Sequence, residues 1–140
     1  MPFDDELTPY DDRREPPAEL DELARRVIGA AIEVHRELGP GLPEEAYVGA
    51  MAIELTARGI SFERQRVVEI FYKDVLVARG RIDLPVAGIL ILEIKSIETL
   101  APIHRLQVLT YMRILKQPLA LLINFNVPVL KEGIRRVVLT

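Results

Sequence analysis

The chain of 140 residues contains no cysteine, and this absence excludes two kinds of protein. Without cysteine there are no disulfides to stabilise a small secreted domain and no thiolate ligands for a structural zinc site. No apolar run approaches the roughly 18 residues that span a membrane, and the first residues are acidic where a signal peptide is basic and then apolar. Gly-rich phosphate loops and internal repeats are also absent. We therefore expect a cytoplasmic protein with no membrane partner.

The net charge of −3 is unevenly distributed along the chain. Residues 1–22 hold nine acidic residues and two arginines, whereas residues 23–140 hold 16 basic and 12 acidic residues, a net charge of +4. Residues 1–18 also contain four prolines and few apolar side chains, which is typical of a disordered acidic leader. Residues 19–140 suffice for one domain. The mildly basic body permits a nucleic-acid partner, although a strong electrostatic footprint would be more basic.

The spacing of apolar residues, together with Gly and Pro positions, predicts three helices and five strands. In chain order these are helices 20–38 and 43–58, strands 60–72, 75–86 and 89–96, helix 102–115, and strands 119–125 and 134–139. A mixed sheet with helices on both faces satisfies this order. Pro85 predicts a bulge, or an end to strand pairing just past Asp83. We expect Arg135 and Arg136 to be exposed on the last strand.

The stretch Arg81–Ser96 carries the most informative pattern. Its run Ile89–Leu92 has no polar face, as expected for a strand buried on both sides. Side chains two apart on a strand share a face, so Glu93 and Lys95 point to the same side. Burying such charges costs several kcal/mol unless they are paired or hold a ligand. A structural ion pair, or charges that leave the core into water, is the simpler explanation.

A second explanation includes Asp83. If residues 79–86 run antiparallel to 89–96 across a turn at Ala87-Gly88, Asp83 lies near Glu93 at one end of the pair. Two carboxylates and a lysine at one point suit a hard divalent cation, Mg²⁺ or Mn²⁺, and a water molecule. Such an ion activates water and neutralises charge on a phosphate.

The helices supply further candidates, each with a simpler alternative. Glu44, in the first turn of the second helix, either complements the helix dipole or points into the site. Gln107 and Tyr111 are four residues apart and share one face of the third helix, where they are a candidate pair or an ordinary solvated glutamine beside a half-buried tyrosine. We expect His35 to be a capping or surface residue and His104 to lie at the surface.

These motifs together resemble a known family. The segment Gly41–Tyr47 fits a GxxExxY signature, and Asp83 followed by Glu93-Ile94-Lys95 fits a D…ExK pattern. The chain resembles the GxxExxY family of the PD-(D/E)XK nuclease superfamily from about residue 23 to residue 138. The Gln107-x-x-x-Tyr111 spacing is similar to the helix motif of the RecB-like branch of that superfamily.

The resemblance implies an α/β fold with a restriction-endonuclease-like core, a mixed central β-sheet flanked by α-helices. It implies that Asp83, Glu93 and the Ile94 carbonyl bind Mg²⁺ or Mn²⁺, with Glu44 as an additional ligand, direct or through water. Lys95 would position the attacking water and stabilise charge on the phosphate. Two supporting residues complete the implied set: Gln107, which would orient Lys95 or the substrate, and Tyr111, which would contact phosphate or support the site.

Three functions follow from this set. The first is a Mg²⁺-dependent nuclease that hydrolyses the phosphodiester bonds of DNA. The second is a catalytically idle nucleic-acid-binding or regulatory module with the same fold. The third is an assembly protein, a homodimer formed through an exposed strand or the Arg135-Arg136 edge.

Overall fold

The computed structural model describes residues 18–139. The acidic leader predicted for residues 1–18 therefore lies outside the described residues except for Ala18. The elements are α1 (Ala18–Leu38), α2 (Glu44–Ala57), β1 (Arg66–Tyr72), β2 (Val75–Ile82), β3 (Leu84–Val86), β4 (Leu90–Lys95), α3 (Pro102–Leu115), β5 (Leu119–Asn124), a 3-10 turn (Leu130–Gly133) and β6 (Ile134–Val138). None of the helices in this range is long and apolar enough to cross a membrane.

The main sheet has four strands in the order β3-β4-β5-β6. Its central pair, β4 and β5, is parallel, and both outer pairs are antiparallel. Helices α1 and α2 cover one face, against Leu92 and Ile94 of β4, while α3 covers the other, against Ile91. The predicted mixed sheet with helices on both faces is confirmed, and the two-sided covering explains why β4 and β5 read as continuous apolar runs.

The strand predicted for residues 75–86 is divided at Asp83. Residues before it form β2, which pairs only with β1 in a separate two-stranded ribbon, and residues after it form β3 of the main sheet. Ile82 and Leu84 would share a face in a regular strand, yet they belong to the two opposite cores. The backbone therefore bends at Asp83, two residues before Pro85. Pairing with β1 ends at Ile82, just before Asp83 rather than just past it as predicted from Pro85, and Pro85 itself pairs with Ile91 of β4.

The strand predicted for residues 60–72 is wrong over its first six residues. β1 begins only at Arg66, and the preceding segment instead covers the free edge of β3. Three backbone hydrogen bonds hold it there: Glu63 N–H to the Pro85 carbonyl, Gln65 N–H to the Asp83 carbonyl, and Ala87 N–H to the Ser61 carbonyl. A covered edge cannot pair with another chain, which removes one aggregation hazard.

The prediction that Arg136 is exposed is also wrong. Its side chain is 1% exposed, and Nη1 lies 2.8 Å from Asp21 Oδ1 near the start of α1. Neighbouring Arg135 is half-buried, and its Nη1 donates to the backbone carbonyls of Glu132 and Ile134. The local pattern of β6 could not show this, because the partner of Arg136 lies more than a hundred residues away along the chain.

Candidate active site

Two hydrogen bonds link the Asp83 segment to the end of β4. The Asp83 N–H donates to Glu93 Oε1 at 2.8 Å, and the Ile94 N–H donates to Asp83 Oδ2 at 2.8 Å. Each carboxylate therefore bonds to the strand that carries the other. The two side chains are fixed at one point of the sheet, where the sequence pattern placed them.

The hairpin register produces this contact. Leu84 pairs with Leu92 and Val86 with Leu90, so continuing the register brings Asp83 opposite Glu93. The connection contains Ala87 and Gly88, which have φ values of 52° and 73°. Left-handed backbone of this kind is typical of tight hairpins. The predicted turn at Ala87-Gly88 is confirmed, and it determines which residues face each other.

Burial makes ionisation of these acids unfavourable. Burial, and after it the nearby Asp83 charge, raise the pKa of Glu93 to about 8, against the opposing effects of the Asp83 N–H and Lys95. Burial also raises the pKa of Asp83, against the opposing effects of the Ile94 N–H and Lys95. Neither nearby cation, Lys95 nor Arg81, offsets the cost of ionising these carboxyl groups, and a bound divalent cation would favour their ionised forms.

Lys95 is half-buried at the end of β4, on the same face as Glu93. Its charge lowers the pKa of Asp83, Glu93 and Glu44, so it lies within electrostatic range of all three acids. Within residues 18–139, however, Lys95 makes no direct ion pair with any of them. The ammonium group is thus near the acids and still able to contact another anion, which a closed structural ion pair would not permit.

Glu44 enters the site from the opposite layer, at the first residue of α2. Burial and the Asp83 charge raise the pKa of its carboxyl group. The loop before α2 is held by Tyr47, whose hydroxyl donates to the Gly39 carbonyl at 2.5 Å and accepts from the Leu42 N–H at 3.2 Å. The ring of Tyr47 stacks on Phe125 with centroids 4.6 Å apart. Tyr47 therefore packs and braces the loop that leads to Glu44.

Gln107 and Tyr111 lie together on α3. Gln107 Nε2 donates to the Tyr111 hydroxyl at 3.3 Å, and in the described part of the chain no hydrogen bond joins either side chain to the acids or to Lys95. Gln107 is exposed and Tyr111 is buried against Gly80 of β2. A Cβ atom at Gly80 would lie 2.3 Å from the Tyr111 oxygen, so glycine is what allows the ribbon to pack on α3.

Two polar residues that the sequence did not single out support the site. Ser96, next to Lys95, donates from its hydroxyl to the Leu42 carbonyl at 2.5 Å and so ties the end of β4 to the loop before α2. Asn124 pairs with Lys95 in the parallel register and is buried. Its amide bonds to both the N–H and the carbonyl of Ile97. Asn124 could have been identified from the sequence, because it is a polar residue inside the apolar run of β5. No feature of the sequence pointed to Ser96.

The two histidines take structural positions. His35, expected to cap or to lie at the surface, is half-buried and hydrogen-bonds through Nε2 to the Val127 carbonyl at 2.8 Å. His104 is half-buried at the start of α3, where Nδ1 accepts the Ala101 N–H at 2.9 Å. Neither histidine contributes to the acidic site.

The donor set fits a hard divalent cation held by few protein ligands. In residues 18–139, Asp83 Oδ1 and Glu93 Oε2 accept no hydrogen bond, so each carboxylate keeps one oxygen for a ligand. Across the same residues, no group of three or more His, Cys, Asp or Glu side chains converges closely enough to hold a metal. Mg²⁺ usually takes one or two carboxylates and completes its shell with water and substrate phosphate, which matches this pair.

Comparison with known proteins agrees with this architecture. A family model described as the PD-(D/E)XK nuclease superfamily matches residues 21–137, from α1 to β6. Neither the curated proteins nor the solved structures contain a match to the chain. The mixed sheet flanked by helices is consistent with the restriction-endonuclease-like fold expected from the sequence. The chain therefore belongs to the PD-(D/E)XK nuclease superfamily.

Proposed function

We propose that the chain is a metal-dependent nuclease that hydrolyses the phosphodiester bonds of DNA, with Asp83, Glu93 and Lys95 as its catalytic residues and Glu44 in support. The observation that carries this proposal is the reciprocal hydrogen bonding of Asp83 and Glu93, with Lys95 two residues further along the same strand. Membership of a nuclease superfamily supports a nucleic-acid substrate. We assign the activity to residues 19–140 as one domain.

Within the superfamily, we place the chain in the GxxExxY family and the RecB-like branch. The spacing of Gly41, Glu44 and Tyr47 supports the first assignment, and that of Gln107 and Tyr111 supports the second. Gly41 has a φ of 99°, so it occupies a backbone conformation that favours glycine. The motif glycine therefore shapes the loop, and the motif tyrosine braces it.

Asp83 and Glu93 would hold Mg²⁺ or Mn²⁺ through the oxygens that no protein donor uses, together with the Ile94 carbonyl. Glu44 would take part through a water molecule, because the three acids do not converge as a direct ligand set. When bound, the ion supplies polarisation of the phosphate and a lower pKa for the attacking water. The charge on these acids is what makes the ion favourable at this point.

Lys95 would act on the developing charge. When water attacks phosphorus, a new P–O bond forms, the bond to the leaving oxygen breaks, and negative charge grows on the phosphoryl oxygens. An ammonium group fixed at the end of a buried strand stabilises that charge without reorganising. Gln107 would orient Lys95 or the substrate, and Tyr111 would support the site by holding the β1–β2 ribbon against α3.

Cleavage of DNA in Mg²⁺ tests the proposal. Single-stranded and duplex DNA, with RNA in parallel, are incubated with the full chain, with Lys95→Ala, and with Lys131→Ala as an exposed-lysine control. We expect wild type and Lys131→Ala to cleave DNA in Mg²⁺ but not in EDTA. We expect Lys95→Ala to be slower by about 10²-fold or more, as when one preorganised electrostatic group is lost.

Two outcomes would contradict the proposal. Equal cleavage by wild type and Lys95→Ala would assign the activity to a contaminant. Binding of DNA without cleavage, unaffected by Mg²⁺, would instead support the catalytically idle nucleic-acid-binding module.

A further inference from the structure

The β1–β2 ribbon projects from the candidate active site. β3 is antiparallel to β4, so the chain before β3 lies beyond the end of β4 at which Glu93 and Lys95 sit. β2 ends at Ile82, the residue directly before Asp83. At about 3.3 Å per residue, β2 extends roughly 23 Å from the site to the turn at Lys73-Asp74. The ribbon is therefore an arm beside the acids.

The two faces of this arm differ. Val68, Gly80 and Ile82 face α3 and are covered by it. The alternate residues of each strand point to the other face, which we call the open face. Near the site, the open face carries Arg79 and Arg81 of β2. Arg79 lies 3.8 Å from Glu69 across the ribbon. Arg81 forms no ion pair with any described residue, although it is near enough to Asp83 for its charge to lower the pKa of that acid. The open face therefore carries two arginines, the nearer of which is two residues from Asp83 along the chain.

The outer end of the arm is apolar and exposed. Phe71, Tyr72 and Val75 are 57%, 64% and 62% exposed. The register pairs Tyr72 with Val75 and Phe71 with Leu76, so the two aromatic side chains point to opposite faces of the ribbon. Lys73 Nζ lies 5.4 Å from the centre of the Tyr72 ring, so a positive charge stands beside that ring. Exposed aromatics next to cations are the arrangement on which unpaired bases stack.

We propose that the open face and outer end of the β1–β2 ribbon bind a single-stranded segment of nucleic acid that continues from the active site. Arg79 and Arg81 contact successive backbone phosphates on the open face. At the outer end, where side chains on both faces are exposed, Phe71 and Tyr72 stack from opposite faces on bases further along the strand. The proposal rests on the proposed nuclease function for the direction in which the strand runs. Binding itself is measured without cleavage, so it stands or fails separately.

Charge favours nucleic acid over a second copy of the chain as the occupant of this face. A second copy would have to bury Arg81, and an unpaired buried charge costs several kcal/mol. A phosphate supplies a counter-charge on the open face itself. Single strands are favoured over duplex because bases within a duplex are stacked on each other and cannot reach Phe71 or Tyr72.

Fluorescence anisotropy in EDTA tests the proposal with a dye-labelled 20-nucleotide single strand and the matching duplex. The full chain is compared with Arg79→Ala/Arg81→Ala, Phe71→Ala/Tyr72→Ala and Glu69→Gln. Arg25→Ala is the matched control, since Arg25 is an exposed arginine on α1. All of these side chains are exposed or on the open face, and thermal unfolding of each variant confirms that the fold is kept.

We expect the double arginine variant to reduce the slope of log affinity against log salt by about 1.4, because each single-strand phosphate contact contributes about 0.7. We expect the double aromatic variant to bind the single strand about tenfold or more weakly, and the duplex nearly as well as wild type. Glu69→Gln should tighten binding by removing a negative charge from the open face. Arg25→Ala should match wild type.

Three results would overturn the inference. The first is unchanged binding by both double variants, and the second is an equal loss of affinity for single strand and duplex in the aromatic variant. The third is light scattering that shows a wild-type dimer and monomeric ribbon variants, which would make a second copy of the chain the occupant of this face. If Lys95→Ala abolishes cleavage while ribbon variants bind normally, the proposed function stands without the ribbon site. If ribbon variants lose binding but wild type never cleaves, the ribbon site stands and the nuclease proposal fails.

Discussion

At the scale of single residues, Glu93 carries the largest energetic consequence. Its carboxyl group lies at the end of a central strand, in a place where folding alone would favour an apolar side chain. Burial and the Asp83 charge together raise its pKa to about 8. The ionised form of Glu93 is thus unfavourable in the folded, metal-free protein. A cation bound there would offset the cost of ionising this buried group, which no contact within the fold offsets in full.

This pKa leads to a test of stability against pH. The pKa of Glu93 is raised on folding from 4.5 to about 8, so the folded state holds a proton that the unfolded state releases between those values. The free energy of unfolding in EDTA should therefore fall as pH rises from 5 to 8, by roughly 3 kcal/mol from this group alone, at about 1.4 kcal/mol per unit.

Urea unfolding at several pH values measures this change. Glu93→Gln is the control, because its amide oxygen can still accept the Asp83 N–H but does not ionise. The difference between the two proteins isolates Glu93 from the other acids whose pKa is raised. Parallel pH profiles for wild type and Glu93→Gln would contradict the assignment.

Gly80 allows a second prediction at this scale. Gly80→Ala should destabilise the protein by about 1–3 kcal/mol, because its Cβ would overlap the Tyr111 ring and hydroxyl. Tyr111→Leu frees that space, so the double variant should lose less stability than the sum of the single variants. Denaturant unfolding of the four proteins gives the coupling. If the losses in the free energy of unfolding were strictly additive, the alanine side chain at position 80 and Tyr111 would not be in steric conflict.

The sequence predicted the charged residues of the site better than the polar ones. Glu93 and Lys95 were identified because charges at the end of an apolar strand are anomalous, and Asp83 because a hairpin brings it to them. Ser96 and Gly80 were missed because their roles depend on contacts with Leu42 and Tyr111, far away in sequence. The local sequence pattern predicts burial and spacing, but it does not predict contacts between residues that are distant along the chain.

At the scale of elements, the loop from Gly39 to Pro43 connects two helices and delivers Glu44. Its irregular backbone is held from both sides, by the Tyr47 hydroxyl from within α2 and by Ser96 from the end of β4. The same few hydrogen bonds thereby join the loop, the first turn of α2 with Glu44, and the strand that carries Lys95.

Tyr47→Phe tests this bracing. The ring that stacks on Phe125 is kept, while the hydrogen bonds to Gly39 and Leu42 are lost. We expect a loss of about 1–2 kcal/mol in stability, since a carbonyl and an N–H lose their partner. If the loop positions Glu44, nuclease activity should fall more than stability explains. Thr56→Val serves as a hydroxyl-removal control elsewhere on α2, since it loses only the hydrogen bond from its hydroxyl to the Ala52 carbonyl. An equal effect on activity would contradict a specific role for the loop.

The positions of the helices and of the last three strands followed closely from the sequence, while the boundaries of the first two predicted strands did not. Periodicity and Pro or Gly signals located all three helices, because a helix is specified by local spacing. The segment before β1 and the break at Asp83 were harder, since pairing partners decide where a strand begins. Pro85 gave the only local sign of the break.

At the scale of the whole molecule, two cores on opposite faces of the sheet meet at β4 and β5. The Asp21–Arg136 ion pair joins α1 to the outer strand β6 across 2.8 Å. Asp21 also pairs with Arg25 on its own helix at 3.0 Å, but Arg25 is exposed. Asp21 thus pairs with one buried arginine, Arg136, and one exposed arginine, Arg25.

Comparing the two partners gives a stability prediction. Asp21→Ala should destabilise the protein by about 3–5 kcal/mol, since it leaves the guanidinium of Arg136 buried without its carboxylate. Arg25→Ala should cost under about 1 kcal/mol, as expected for an exposed pair. Thermal and urea unfolding measure both. A similar small loss for the two variants would show that the buried pair contributes little.

The central claim is that Asp83 and Glu93 form a site for a divalent cation beside Lys95. A crystal structure of the protein soaked in Mn²⁺ at a pH above 8, where most of the Glu93 carboxyl groups are ionised, tests it most directly. We predict an anomalous peak bounded by the Asp83 and Glu93 carboxylates and the Ile94 carbonyl. Mn²⁺ bound only elsewhere, with these oxygens unliganded, would contradict the claim.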